Sequence, residues 1–228
     1  KQGVKVGIVP DYGIEEVAQS TFAYILEKSR NIYDYNIQSK KNYLSDSWQI
    51  TKKEIKRIKN IKVGVIGAGR IGSVVIKYCL SIGYDVVFYD PYREKGYEKI
   101  LGCKRTSKLT DLLKKSDFVT LHLPMNKKNK GIVDKSFLNN MKQNSYLINT
   151  ARGKLIKSYD DLDKALLNKL QGVYLDVLID EPPKKNNLFD KWNLNFYENK
   201  LIINPHTAFY SQESFKEMRR KACKSAVD

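Results

Sequence analysis

The stretch Lys62-Val-Gly-Val-Ile-Gly67-Ala-Gly69-Arg-Ile-Gly72 decides the fold of this chain. The apolar run Val63 to Ile66 is typical of a buried parallel strand, and the apolar spacing from Arg70 to Ser81 predicts a helix. In the turn between them, Gly67 permits a tight bend, Gly69 lets the backbone approach a pyrophosphate, and Gly72 lets the helix pack closely on the strand. The stretch therefore predicts a dinucleotide-binding turn with phosphates at the helix N-terminus.

Asp90 supports this interpretation and selects the dinucleotide. It ends the next apolar run, Asp85 to Tyr89, where its carboxylate can accept both ribose hydroxyls, which favours NAD over NADP. The alternative is a turn residue before Pro91. Arg93 could pair with a 2'-phosphate, but Asp90 would repel that group, so we interpret Arg93 as a solvated charge.

Composition excludes several classes of protein. The 228 residues are 42% hydrophobic and 11% aromatic, which argues against disorder, and no apolar stretch is long enough to cross a bilayer. Three scattered cysteines, Cys79, Cys103 and Cys223, lack metal-ligand spacing and are expected to be free thiols in a reducing compartment. We therefore expect a cytoplasmic protein with no metal site and no membrane partner.

The net charge of +16 raises the question of nucleic-acid binding. The basic residues are mostly lysines scattered in pairs such as Lys40-Lys41 and Lys184-Lys185, and the tyrosines are not interleaved with arginine in an RNA-binding motif. A solvated lysine-rich surface explains the charge better, so no nucleic-acid partner is expected.

Strands and helices alternate along the chain, which predicts an α/β fold with a doubly wound parallel sheet of the Rossmann type. Residues 31 to 60 are polar and predict a crossing or surface-wrapping segment, and residues 186 to 200 predict a loop containing Trp192. The predicted strands are Val4 to Val9, Val63 to Ile66, Asp85 to Tyr89, Phe118 to Leu123, Ser145 to Asn149, Gly172 to Asp176 and Leu201 to Ile203. The predicted helices are about Glu15 to Arg30, from Arg70, near Thr110, from Tyr159 with Ser158 as its cap, and from Ser211.

Three polar side chains follow successive predicted strands: Arg152, Glu181 and His206. Ligands bind beyond the carboxyl ends of parallel strands, so these side chains could converge there. Reduction of a 2-oxo acid needs a hydride donor, a cation for the carboxylate and an acid for the carbonyl oxygen. Arginine suits the carboxylate, histidine titrates near working pH, and a neighbouring glutamate favours imidazolium.

Each of these three residues could instead have an ordinary structural role. Arg152 could be a surface ion-pair partner, Glu181 an ordinary loop acid and His206 a satisfied loop histidine. The other histidine, His122, also ends a strand, and a structural or cofactor-lining role fits it better than catalysis.

Taken together, the motifs resemble the D-isomer-specific 2-hydroxyacid dehydrogenase family, and more closely its branch related to C-terminal-binding proteins. The likeness covers almost the whole chain. It is carried by Gly67 to Gly72, Phe88-Tyr-Asp-Pro-Tyr92, Ser116 to Pro124, Asn149-Thr-Ala-Arg-Gly153, Asp176 to Pro182 and Pro205-His-Thr-Ala-Phe-Tyr-Ser211.

The resemblance implies a homodimer with NAD as cofactor. It also implies that Arg152, Glu181 and His206 are catalytic. The cofactor-binding residues that it implies are Gly67, Gly69, Arg70, Ile71, Gly72, Asp90, His122, Pro124, Asn126, Thr150, Ala151 and Asp176. Two positions bear on the comparison with the branch related to C-terminal-binding proteins. Phe209 stands where that branch often has tryptophan, and Asn126 stands where many dehydrogenases have threonine.

The resemblance also implies a division of the chain. Residues 1–14 resemble the end of a flavodoxin-like substrate domain, residues 15–206 form the NAD-binding domain with 15–60 as interdomain helix and crossing segment, and 207–228 return to the substrate domain. Most of that domain is missing, so a fragment or a partly observed chain is expected. The function expected is hydride transfer between NAD(H) and a small 2-hydroxy or 2-oxo acid. The alternative is an NAD(H)-responsive binding protein with little turnover.

Overall fold

The sheet in the computed structural model is entirely parallel, within the residues that the structure describes: 3, 6–46, 48 and 54–227. Its strand order is β3-β2-β1-β4-β5-β6-β7. The order reverses between β1 and β4, which opens a crevice at their carboxyl ends. The strands are β1 Lys62–Ile66, β2 Asp85–Tyr89, β3 Lys104–Arg105, β4 Phe118–Leu121, β5 Tyr146–Asn149, β6 Gly172–Leu175 and β7 Leu201–Ile203.

Helices cover both faces of this sheet, as the predicted doubly wound fold requires. One core packs strand residues against α1, α3 and α4, and the other packs them against α5, α6, α7 and α8. The helices are α1 Ile14–Arg30, α2 Ile32–Asn42, α3 Arg70–Ser81, α4 Tyr97–Leu101, α5 Leu109–Lys115, α6 Lys135–Asn140, α7 Tyr159–Asn168, α8 Asn187–Asn193 and α9 Gln212–Val227.

Most predicted elements are present within one or two residues of their expected bounds. The Ser158 side chain accepts hydrogen bonds from the N–H groups of Asp160 and Asp161, so the predicted cap of α7 is correct. No described helix is both long and apolar enough to span a membrane.

The predicted first strand is wrong where it can be examined. Val6 to Val9 are not in a strand, and Val4 and Lys5 lie outside the described residues. Gly7 packs against Ser225 of α9 instead of pairing with a strand. Strand hydrogen bonds need a neighbouring strand, and none of the described strands lies beside this segment.

Two segments predicted as irregular contain helices. α2 lies in the supposed crossing segment, although none of its residues is buried. α8 lies in the supposed loop and contains Trp192; it is capped by Asn186, and Leu188 is buried in the core. Asp163 of α7 holds this region by an ion pair with Lys191. Tertiary contacts stabilise α8, and a seven-residue helix is too short for periodicity to reveal it.

Candidate active site

The glycine turn joins β1 to α3 at the edge of the crevice. Gly67 has φ +94°, and its N–H donates to Tyr89 O at 2.9 Å. A Cβ at Gly72 would lie 1.9 Å from Gly67 O, whereas a Cβ at Gly69 would meet nothing within 4 Å. Close packing therefore requires glycine at 67 and 72, and the backbone at 69 borders open space.

The N-terminus of α3 has the properties of a phosphate site. Gly69 is its N-cap and supplies no side chain, so the N–H groups of the first turn, which includes Arg70 and Ile71, keep no side-chain cap. Free N–H groups and the helix dipole favour an anion in the open space above Gly69. This cradle fits the pyrophosphate of a dinucleotide.

Asp90 lies at the end of β2 beside this turn. Its Oδ2 accepts from Ala68 N and its Oδ1 from Tyr92 N, both at 2.9 Å. Arg105 of β3, which sequence reasoning missed, donates to the carbonyls of Asp90, Arg93 and Glu94 at 2.8–2.9 Å. Because one guanidinium binds three carbonyls, it fixes the shape of the loop that follows β2. No motif in the sequence marks this arginine.

Arg93 is not the solvated charge that the sequence predicted. Its Nε donates to Ala68 O at 2.8 Å, and its guanidinium lies over the Tyr97 ring, 4.6 Å from the centroid. Nε is also 3.9 Å from Asp90 Oδ2. The turn folds the side chain back onto the glycine loop, a contact that only the tertiary structure reveals.

The loop after β4 forms the other wall of the crevice. His122 Nε2 is 3.0 Å from Thr120 Oγ1, and burial lowers the pKa of His122 to about 3. The ring is therefore neutral, which argues against a role as a proton donor. Asn126 Oδ1 accepts from the N–H groups of Lys128 and Asn129 and so fixes the loop after Pro124.

The loop after β5 is held by two buried side chains that sequence reasoning missed. Asn149 accepts from Ala151 N and donates to Arg152 O. Thr21 of α1 shares a 2.9 Å hydrogen bond with Thr150. The Arg152 Nη1 donates to Ala151 O at 2.6 Å, so the backbone orients the guanidinium.

Asp176 organises the loop that carries His206. Its carboxylate accepts from the N–H groups of Thr207 and Ala208 at 3.0 Å, and its carbonyl accepts from His206 N at 2.8 Å. Burial raises the pKa of Asp176, although these backbone hydrogen bonds act in the opposite direction. His206 has a left-handed backbone with φ 56°. Asp176 therefore fixes the backbone of the loop that carries His206.

Glu181 and His206 form a hydrogen-bonded pair. His206 Nδ1 is 2.7 Å from Glu181 Oε2, and Glu181 Oε1 accepts from Leu178 N at 2.8 Å. Desolvation raises the pKa of Glu181, but the hydrogen bonds and the charges of His206 and Arg152 outweigh it, so this pKa is lowered. Glu181 is therefore ionised at neutral pH.

Arg152 is near this pair without a hydrogen bond to it. Its charge contributes to the lowered pKa of Glu181, and the following residue, Gly153, touches the loop that carries Glu181. A Cβ at Gly153 would lie 1.7 Å from Leu178 O. The three predicted catalytic side chains thus lie on adjoining strand-end loops at one edge of the sheet.

The chain resembles known proteins along most of its length. A family model described as "D-isomer specific 2-hydroxyacid dehydrogenase, NAD binding domain" matches residues 22–208. D-3-phosphoglycerate dehydrogenase of Methanocaldococcus jannaschii is 31% identical over 221 residues, covering 95% of this chain and 39% of that protein. C-terminal-binding protein 1 of Caenorhabditis elegans is 29% identical over 230 residues, covering 97% of this chain and 30% of that protein.

A solved structure shows the same fold. D-lactate dehydrogenase from Aquifex aeolicus, complexed with NAD and lactic acid, has 34% identity and a TM-score of 0.83, covering 96% of this chain and 67% of that one. The chain thus spans well under half of the two curated relatives. The family match confirms the predicted family and the NAD cofactor. The fold, the glycine cradle and this match lead to one conclusion: the chain belongs to the D-isomer specific 2-hydroxyacid dehydrogenases and contains their NAD-binding domain.

Proposed function

We propose that this chain is the NAD-binding part of a dehydrogenase that moves hydride between NAD(H) and carbon 2 of a small 2-hydroxy or 2-oxo acid. The observation that carries the proposal is the 2.7 Å hydrogen bond between His206 and Glu181. This pair lies at the carboxyl edge of the sheet, the same edge as the glycine turn. Proton transfer and dinucleotide binding can therefore occur at neighbouring sites.

The glycine turn, the first turn of α3 and Asp90 hold the cofactor in this proposal. The pyrophosphate binds above Gly69, and the adenosine ribose binds the carboxylate of Asp90. The other residues assigned to the cofactor are the wall residues His122, Pro124, Asn126, Thr150, Ala151 and Asp176. Bound NADH supplies the hydride in reduction, and NAD accepts it in oxidation.

His206 moves the proton. Glu181 engages Nδ1, and Nε2 has no partner among the described residues, so Nε2 is the nitrogen available to substrate. In reduction, hydride reaches carbon 2 while Nε2–H gives its proton to the carbonyl oxygen, which leaves a 2-hydroxy acid and a neutral ring. Glu181 stabilises the imidazolium before transfer.

Arg152 binds the substrate carboxylate. Its guanidinium offers a planar fork of donors, of which the structure assigns only Nη1 to a protein acceptor. The remaining donors can hold a carboxylate in fixed orientation, so that carbon 2 faces the hydride and the carbonyl oxygen faces His206.

Described segments near the two ends of the chain contact each other, which supports their assignment to one substrate domain. Asp11 pairs with Lys221 of α9 at 2.8 Å, and Tyr12 packs edge-on against Phe209 at 5.8 Å. Phe209 in turn lies edge-on to His206 at 6.2 Å. We assign residues 1–14 and 207–228 to that domain and 15–206 to the NAD-binding domain.

A homodimer is the assembly that we propose. No residue of α2 is buried. Two of its apolar side chains, Ile32 and Tyr33, are 60% and 52% exposed, and Leu44, which follows the helix, is 84% exposed. A helix without a buried face gains little stability from packing. A second copy of the chain would cover these apolar side chains.

The test is NADH oxidation by the full-length protein against a panel of 2-oxo acids, from glyoxylate to branched and aromatic ones. We expect turnover on at least one acid and a loss of at least about 100-fold in kcat for His206→Ala, with NADH binding retained. Retained turnover in both His206→Ala and Arg152→Ala would refute the proposal.

An NAD(H)-responsive binding protein without turnover is not favoured, because the chain keeps Arg152, Glu181 and His206 on adjoining loops. If the protein binds NADH but reduces none of the 2-oxo acids in the panel, the binding protein becomes the better proposal.

A further inference from the structure

Two consecutive backbone N–H groups hold the loop that carries Glu181. The N–H of Leu178 donates to Glu181 Oε1 at 2.8 Å, so the carboxylate closes its own loop. The next N–H, that of Ile179, donates to the hydroxyl oxygen of Tyr159 at 2.8 Å. A side chain of α7 therefore fixes the peptide group next to the one that holds the carboxylate.

Tyr159 is the first residue of α7 and is itself fixed in place. Ser158 caps this helix by accepting from the N–H groups of Asp160 and Asp161. The Tyr159 ring packs edge-on against Phe189 of α8, with 4.9 Å between the ring centroids, and the side chain packs against the core on that face of the sheet. The hydroxyl oxygen is therefore a fixed acceptor for the loop.

The Tyr159 hydroxyl is neutral at physiological pH. Burial raises the pKa of Tyr159, and the charges of Asp180 and Glu181 act in the same direction, although the hydrogen bond from Ile179 opposes them. Phenylalanine at this position would keep the ring and remove the acceptor without changing the charge of the site. The hydroxyl can therefore be tested separately from the packing.

The environment of Glu181 makes the position of its loop important. The charged and titratable groups around this carboxylate are Arg152, Asp176 and His206 on neighbouring loops, with Tyr159 and Asp180. Desolvation acts to raise the pKa of Glu181, but the hydrogen bonds from His206 and Leu178 and the nearby positive charges lower it. A hydrogen bond weakens steeply when it is misaligned, so displacement of the loop would weaken both of these bonds.

We propose, on the basis of the function proposed above, that Tyr159 is a positioning residue for the proton relay. Its hydroxyl holds the loop after β6 so that Glu181 Oε2 stays within 2.7 Å of His206 Nδ1. Tyr159 acts through Glu181 and needs no contact with the substrate. Loss of the hydroxyl can therefore cost no more activity than loss of the Glu181 charge, for which we expect about tenfold in kcat.

The first experiment measures kcat and KM of the full-length protein with Tyr159→Phe, alone and combined with Glu181→Gln. We expect Tyr159→Phe to lower kcat by about threefold to tenfold and to change KM for the 2-oxo acid and for NADH by less than about twofold. In the Glu181→Gln background the same change should lower kcat by less than about twofold, because two residues that act through one interaction are not additive.

Tyr84→Phe is the matched control. It removes a buried hydroxyl that donates to Ser29 at 2.7 Å, and Tyr84 directly precedes β2, at the amino edge of the sheet. We expect its kcat to equal that of the wild type. Wild-type kcat in Tyr159→Phe, or an equal loss with and without Glu181→Gln, would overturn the inference and leave the proposed function intact.

The second experiment needs no turnover. Carbon-13 NMR of the glutamate side-chain carboxyl groups follows the titration of Glu181 in the full-length protein, and Glu181→Gln identifies its signal. We expect the pKa of Glu181 to be higher in Tyr159→Phe than in the wild type and in Tyr84→Phe, because the hydrogen bonds that lower it are weakened. An unchanged titration would overturn the positioning role. A wild type that reduces no 2-oxo acid would refute the proposed function, and this titration would still decide whether Tyr159 positions Glu181.

Discussion

Glu181 is the side chain on which the pH range of the proposed reaction depends. Its pKa is lowered, so it stays charged well into the acid range and faces Nδ1 of His206 across 2.7 Å. Reduction needs imidazolium, and oxidation needs the neutral ring. The carboxylate charge of Glu181 therefore faces the ring at every pH above the lowered pKa of Glu181.

We expect Glu181→Gln to lower kcat of oxo-acid reduction by about tenfold and to remove the fall in activity that protonation of Glu181 causes in the wild type as the pH drops through its lowered pKa. Glutamine can still accept from Nδ1, but the imidazolium loses its counter-charge. The measurement is kcat/KM against pH in both directions, with Asp180→Asn, an exposed neighbouring acid, as the control. An unchanged profile with a lower kcat would show that Glu181 only orients the ring.

Gly69 and Gly72 of the turn have different roles, and thermal unfolding of alanine variants can distinguish them. A Cβ at Gly69 meets nothing, whereas a Cβ at Gly72 meets Gly67 O at 1.9 Å. We expect Gly69→Ala to unfold near the wild-type temperature without NADH but to lose stabilisation by NADH, because the methyl group enters the phosphate space. Gly72→Ala should lose about 1–3 kcal/mol of stability even without NADH. Full NADH stabilisation of Gly69→Ala would contradict the assigned phosphate position.

The geometry of the proposed catalytic site depends on two elements, because the carboxyl ends of β5 and β6 adjoin each other. Gly153 follows β5 and contacts the carbonyl of Leu178, which follows β6. Arg152 is carried by the first loop and Glu181 by the second. The spacing between these loops therefore sets the spacing between Arg152, the proposed substrate clamp, and Glu181 of the proposed proton relay.

Gly153→Ala tests this link. Its Cβ would lie 1.7 Å from Leu178 O, so the loops must separate. We expect a loss of about 1–3 kcal/mol of stability and a fall in kcat of about 100-fold, since a small misplacement is costly in catalysis. NADH affinity should change little, because the glycine turn lies elsewhere. Wild-type kcat would show that the two loops act independently.

Whether two copies of the chain associate depends on the charge and the apolar surface of the whole molecule. The chain has a net charge of +16, so two copies repel each other at long range, and an apolar contact must overcome this. The exposed side chains on and after α2, including Ile32 and Leu44, provide the apolar surface proposed above.

Sedimentation equilibrium tests the dimer. The full-length wild type should have twice the mass of its own polypeptide at physiological salt. Leu44→Glu places a charge in the proposed interface and should shift the population to monomer, and Ile100→Glu, at a 78% exposed residue of α4, should not. A monomeric wild type, or equal effects of both variants, would contradict the α2 interface.

Local patterns predicted the sheet and the cofactor turn. The cofactor turn is marked by a local motif, with glycines at 67, 69 and 72 and an acidic residue at 90. Because these positions lie within about two dozen residues of each other, their spacing alone reveals the turn. The same holds for the Ser158 cap. Arg152, Glu181 and His206 could be grouped in advance because parallel strands deliver their carboxyl ends to one edge.

Long-range contacts decided the rest. The position of Arg93 depends on folding back to Ala68, and that of Arg105 on carbonyls eleven to fifteen residues away. Thr21 reaches Thr150 across 129 residues, and α8 forms because Asp163 and the core hold it. Sequence alone therefore determined which backbone bends and strand ends exist, since these depend on neighbouring residues. Only the tertiary structure decided which polar groups meet, because a hydrogen bond between distant residues leaves no periodic trace in the chain.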